Sequence, residues 1–168
     1  MKGKKGDITD IMVFLITIFI LAIGLFILAY IVPQISDGLD TAGMNSSTEG
    51  ANAIDRMSDI GTVTIQRGFF LLFMGLIASM MITSFFARTH PIFLFLYVLV
   101  LGLTVFLAVY LGNAYQQLVA TPIFVETLST QGLINIVMNN ILTIILAVGA
   151  LSMVIVFAKF STGGIQKV

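Results

Sequence analysis

"GFFLLFMGLIASMMITSFFARTHPIFLFLYVLVLGLTVFLAVYLG", residues 68–112, decides how this chain folds. Two apolar runs, 68–87 and 91–112, are parted only by Arg88, Thr89 and His90. Each run has about the 20 residues a helix needs to cross a hydrocarbon core of about 30 Å. A membrane-barrel strand would be roughly half as long and would alternate apolar with polar residues. The runs therefore read as helices, and so short a link folds them into an antiparallel hairpin.

Two similar runs flank this hairpin. One is "DIMVFLITIFILAIGLFILAYIV", residues 10–32. The other is "NILTIILAVGALSMVIVFAKF", residues 140–160, interrupted only by Lys159 near its end. The expected fold is an all-α integral membrane protein with one transmembrane domain over residues 1–168. Its four antiparallel spans lie at 10–32, 68–87, 91–112 and 140–160, with outer segments at 33–67 and 113–139. The lysine flank of the first run raises the question of a cleaved signal peptide. Its core exceeds the roughly 7–15 residues of such a peptide, and no small-x-small cleavage pattern follows it. It reads as a retained span.

Composition agrees. The chain is 58% hydrophobic and 10% charged, where soluble domains carry about 25% charged residues. Mean hydropathy is +1.09. The formal net charge is zero, so no specific nucleic-acid partner is expected. The lack of cysteine excludes disulfides, thiolate metal sites and a cysteine nucleophile. A single histidine leaves little for zinc or haem ligation, so no metal and no cofactor are expected.

Charge placement orients the spans. Lys2, Lys4, Lys5, Arg88, Lys159 and Lys167 fall on one side, and only Arg56 and Arg67 on the other. By the positive-inside rule both termini and the Arg88 turn are cytoplasmic. Asp37, Asp40, Glu49, Asp55, Asp59 and Glu126 lie on the outer side. Tyr30, Tyr110 and Tyr115 fall near the outer boundary, where an aromatic belt belongs.

The first outer segment opens with Pro33, which is expected to end helix one. Ser46-Ser47-Thr48-Glu49 fits a capping box with Ser46 as N-cap and Glu49 at N3. Ala51, Ile54, Met57 and Ile60 or Gly61 then recur at helical spacing, with Asn52, Asp55, Arg56 and Asp59 between them. A short amphipathic helix follows, either separate from span two or continuous with it. It could lie on the membrane surface, pack on a partner or cover the span ends. In the second outer segment Pro122 and Gly132 mark breaks, "PIFVETLS" suits one or two helical turns, and "LINIVMNN" leads into the last span. Asn135 and Asn139 share a helix face, directed at a neighbouring helix or at water and headgroups.

Membrane enzymes, pumps and ion-coupled transporters carry ionisable groups within their spans. Here Asp10, Arg67, Arg88 and Lys159 all sit at span ends. Thr17, Ser79, Thr83, Ser84, Thr104, Thr143 and Ser152 are the hydroxyls inside, expected to bond their own helices. No catalytic residue is expected, and the chain is read as not an enzyme. Helix packing is more informative. Gly75, Ser79 and Thr83 recur every four residues on span two, a stripe that admits a close backbone. Gly102 and Gly149 offer the same on spans three and four. Such surfaces serve packing within one subunit, or contact with copies of the chain or other membrane proteins.

The turn holds the only histidine, yet each residue has a local role. Arg88 suits the last turn of span two. Thr89 or His90 caps span three, and Pro91 sits at N1 or N2, where its missing N–H costs nothing. These four residues form a corner, and one that could face a partner.

The stretches "KGDITDIMVFLITIF", "RTHPIFLFLYVLVLGLTVFLAVYLGNAYQQL" and "INIVMNNILTI", with this layout of spans, resemble small multi-span proteins of tailless icosahedral phages with an internal membrane. Those viruses have double-jelly-roll capsids over a lipid vesicle. The resemblance covers most of the chain except residues 33–66. It implies a structural virion protein, made in the host cytoplasmic membrane and carried into the virion internal membrane. Its implied partners are the lipid bilayer, further copies or other virion membrane proteins, and capsid proteins on the basic face. Two other functions compete: a phage holin-like pore-former, and a small cellular channel or transporter subunit. A holin tends to have fewer spans and a charged tail, which "STGGIQKV" is not. A channel needs a polar lumen, and the spans offer scattered hydroxyls.

Overall fold

The computed structural model describes residues 9–86 and 91–163. The described chain is helical, with no strand among these residues. The helices are α1 (Asp10–Thr41), α2 (Thr48–Asp59), α3 (Ile65–Phe86), α4 (Pro91–Val119), α5 (Val125–Thr130), α6 (Gly132–Asn139) and α7 (Ile141–Gly163). A π segment, Ile60–Thr64, joins α2 to α3, and short 3-10 turns occupy Met44–Ser46 and Pro122–Phe124. Four helices are long and apolar enough to cross a membrane: Asp10–Thr41, Thr48–Phe86, Leu94–Val119 and Ile141–Ala158. That is the mark of an integral membrane protein. Arg88, Thr89 and His90 lie outside the described residues, and Pro91 is the first residue of α4.

α1 is the central post. Ile11, Phe14, Leu15, Ile18, Ala22, Phe26 and Ala29 are buried along it, at the three- and four-residue spacing of one helix face. Phe69, Phe73 and Met80 of α3, Tyr97, Ala108 and Tyr115 of α4, and Ile141, Ile145 and Val148 of α7 complete this core. The contrary faces carry exposed Leu, Ile and Phe, including Leu71, Phe95 and Phe106. In a lipid solvent the apolar exterior costs nothing, and helices associate through shape and hydrogen bonds.

Three expectations need correction. Pro33 does not end α1, which runs on to Thr41. Proline withdraws the N–H that the carbonyl four residues back would accept, but tertiary contacts outweigh that local loss. The Pro33 ring lies against Gly61, where an added Cβ would be 3.0 Å from Cδ. Beyond the proline, Ser36 Oγ donates to the Ile54 carbonyl at 3.2 Å. The second correction is the cap of α2, which is Ser47 rather than Ser46. Ser46 belongs to the preceding 3-10 turn, which Gly43 enters at φ +83°, a conformation glycine adopts without strain. Ser47 Oγ accepts from the Gly50 N–H at 3.1 Å. The chain doubles back so tightly that a Cβ at Gly50 would overlap the Met44 carbonyl. The third concerns Tyr115. It is fully buried against Phe26, with ring centroids 5.9 Å apart, and so is a core residue. Tyr110 is 69% exposed.

The 3-10 turn and α2 form a small head packed on the segment of α1 from Pro33 to Thr41. Ala51, Ile54 and Met57 of α2 are half-buried toward α1, while Asn52, Asp55, Arg56 and Asp59 are exposed. The amphipathic helix therefore covers the end of α1. It continues through the π segment into α3 as one rod of 39 residues, about 58 Å at 1.5 Å per residue.

Candidate functional site: a node of interrupted helices

A helix that crosses a membrane satisfies its own backbone polar groups, and wherever it is interrupted something else must do so. Three interruptions meet beside the head: Pro33 in α1, the π segment between α2 and α3, and the break at Gln131 between α5 and α6. Two glutamines join the last two, and Pro33 packs on Gly61 of the π segment.

Gln131 is fully buried. Its backbone leaves the helical region, with φ −103° and ψ 47°, and so separates α5 from α6. Its side chain crosses to the π segment, where Nε2 donates to the Gly61 carbonyl at 2.9 Å and the Thr62 carbonyl at 3.2 Å. A π turn closes i to i+5, as the Ile65 N–H does onto Ile60, and its one extra residue passes over one carbonyl where the α register resumes. Gln131 brings a side-chain donor to that place. Its own Oε1 is buried and accepts no hydrogen bond.

Gln66, one residue into α3, serves the opposite break. In the carboxamide orientation that gives both atoms a partner, its nitrogen donates to the Thr130 carbonyl at 2.9 Å. Its oxygen accepts from the Leu133 N–H at 3.2 Å. It thus pairs the last carbonyl of α5 with an N–H in the first turn of α6, both groups that helix ends leave unsatisfied. Each break is mended by a glutamine from the other. Gly61 completes the arrangement, since its missing side chain lets Val32 and Pro33 approach.

The node carries no charge. Among the described residues no group of three or more His, Cys, Asp and Glu side chains is placed to hold a metal ion. Glu49, Asp55, Asp59 and Arg56 are exposed on the head, and Asp37 and Asp40 on the end of α1 beside it. Neutral amides of this kind can position helices and select between backbone registers. They are poor at moving protons.

The residues singled out from sequence are dispersed. Gly149 lies where α7 meets α1 and α4, and an added Cβ would be 2.5 Å from Leu101 Cδ1 and 2.8 Å from Ile11 Cδ1. Its carbonyl accepts from Tyr97 Oη at 3.1 Å. Gly75 and Ser79 are exposed, and a Cβ at Gly75 would meet nothing within 4 Å. Thr83, half-buried, donates to the Met80 carbonyl at 3.0 Å. With Ser79 it lines a cleft of about 150 Å³ between α1 and α3, shared with Asp10, Val13, Phe14, Thr17, Leu76 and Met80. Gly102 is also exposed, with open space at its Cβ position. Thr17, Ser84 and Thr104 bond the carbonyl four residues back, as a hydroxyl inside a span is expected to. Asn139 Nδ2 donates to Asn135 Oδ1 at 2.9 Å on the surface of α6.

Gln66 and Gln131 were not singled out from sequence, and Gly61 only as a position on the apolar face of the amphipathic helix. The available signal was a glutamine next to each boundary of an apolar run: Gln66 before span two, and Gln131 before Gly132, itself read as a break. Compared with known proteins, the chain matches no family model, no curated protein and no solved structure.

Proposed function

We propose that this chain is a structural, non-enzymatic protein of a lipid membrane, built as four antiparallel spans. One observation carries this reading. The buried polar side chains described are Ser36, Ser84, Thr104, Thr127, Gln131 and Ser152, all of them neutral, in a core otherwise filled by apolar side chains. Pumps and ion-coupled transporters depend on ionisable groups at depth, and a channel depends on a polar lumen. A packed, uncharged interior suits a protein whose work is occupancy and contact.

The more specific reading rests on the sequence resemblance: the internal membrane of a tailless icosahedral virus, reached by insertion into the host cytoplasmic membrane. The six-to-two bias of basic residues supports cytoplasmic termini and a cytoplasmic Arg88–Pro91 corner. In the virion that face would lie under the capsid, and the acidic head would face the vesicle interior. Copies of the chain and other membrane proteins would meet its lipid-exposed faces. Quantitative proteomics of a purified membrane-bearing particle from the source organism tests this. The expected result is the chain at a fixed copy number per particle. Its absence would falsify the virion assignment.

A further inference from the structure

We propose that Gln131 is a latch that holds the Ile60–Thr64 segment in its π register, and that release of this latch turns the head about that segment. A π turn holds one residue more than an α-helix needs over the same span. Because of that residue, α2 and α3 can both present their apolar faces inward, α2 toward α1 and α3 toward the bundle core. One extra residue leaves one carbonyl passed over where the α register resumes, and the Gln131 carboxamide donates to the Gly61 and Thr62 carbonyls at that place.

The competing state is a plain α-helix through the same residues, with every carbonyl bonded to an N–H of its own helix. Reaching it moves α2 by one residue relative to α3, a turn of about 100° at 3.6 residues per turn. Two consequences follow from named contacts. Ala51, Ile54 and Met57 swing off α1, and the Ser36–Ile54 hydrogen bond is lost. A residue with a side chain also replaces Gly61 against Pro33, where the space for a Cβ is only 3.0 Å. The rewound helix therefore pushes the head away as it forms.

The latch is balanced rather than locked. Gln131 donates twice, but its Oε1 is buried without a partner, and an unpaired buried acceptor offsets part of what the two bonds contribute. An element with two backbone registers and one side chain biasing them is what a conformational switch requires. Opening would present the apolar face of α2, now covered by α1, to the bilayer surface or to a neighbour.

Because the chain has no cysteine, an introduced pair reports cleanly. Ser36→Cys with Ile54→Cys bridges the head to α1. Gly112→Cys with Ile141→Cys bridges α4 to α7, where a Cβ at Gly112 would be 3.2 Å from Ile141 Cγ2. Gln131→Met keeps the length of the side chain and removes the donor. In the full chain in lipid vesicles, Gln131→Met should lower head cross-linking, with the closed-to-open ratio it reads falling roughly fivefold or more, the change expected for losing one or two hydrogen bonds. Bridging of α4 to α7 should stay unchanged. Deleting Val63 in the Gln131→Met background removes the extra residue, so head cross-linking should return. Unchanged head cross-linking in Gln131→Met overturns the proposal. So does an equal fall at both pairs, or a fall that deletion of Val63 does not restore, since either makes Gln131 a general support of the fold.

Discussion

Two regions of this molecule hold helices together by different means. Around Gly149 three unbroken stretches of helix meet. Their backbones are self-satisfied, so the contact is made by shape, with Leu101 and Ile11 filling the space a side chain would need. At the node three interrupted helices meet, and carboxamides do what the backbone cannot. The first region tolerates no added volume. The second depends on its side-chain donors. Its bonds can be exchanged for intrahelical ones, so it is where the structure can change register.

The comparison predicts a graded set of effects. Gly149→Leu should be the most damaging, because the larger side chain must displace Leu101 and Ile11 together. A loss of about 3 kcal/mol, the upper end of ordinary overpacking, is expected in reversible unfolding from bicelles. Gln131→Leu should cost about 2 kcal/mol, since it removes the side-chain donor of the Gly61 and Thr62 carbonyls in a dry setting. A cost below that of a surface mutation would place these carbonyls in water and remove the distinction between the regions. Ser47→Ala should cost about 1 kcal/mol through the lost N-cap of α2, and amide exchange should rise in the first turn of α2 before it rises in the bundle. Gly75→Leu should be the mildest, within about 0.5 kcal/mol for the isolated subunit, because nothing in the chain covers that position. If it instead destabilises as strongly as Gly149→Leu, or dissociates an oligomer on a sizing column, the Gly75 stripe is a packed contact between copies.

Much of this architecture is legible in the sequence, and the limits have physical causes. The apolar runs state their own length requirement, so the four candidate spans emerge from "GFFLLFMGLIASMMITSFFARTHPIFLFLYVLVLGLTVFLAVYLG" and its two counterparts. Local chemistry also reads well. Pro122 stands at the start of its 3-10 turn, Gly132 follows the break, and the hydroxyls of Thr17, Ser84 and Thr104 turn back on their own helices. What fails is whatever depends on a distant partner. Pro33 breaks a helix in isolation, but here Gly61, far along the chain, accommodates its ring. The four-residue stripe on α3 is a pattern of small residues without a statement of what faces it, and in this subunit Gly75 faces nothing. Gln131 is polar and lies beside a glycine, as loop residues do. Only the fold shows that its side chain reaches back 69 and 70 residues to mend a π turn.

The central claim is that Gln66 and Gln131 act as one unit joining the two breaks. A double-mutant cycle of Gln66→Leu and Gln131→Leu, read by reversible unfolding in bicelles, tests it most directly. The account predicts non-additivity of about 0.5 kcal/mol or more, with the second substitution costing less once the first is present, as for residues of one network. Strict additivity would contradict it, because the two glutamines would then be mending their breaks independently.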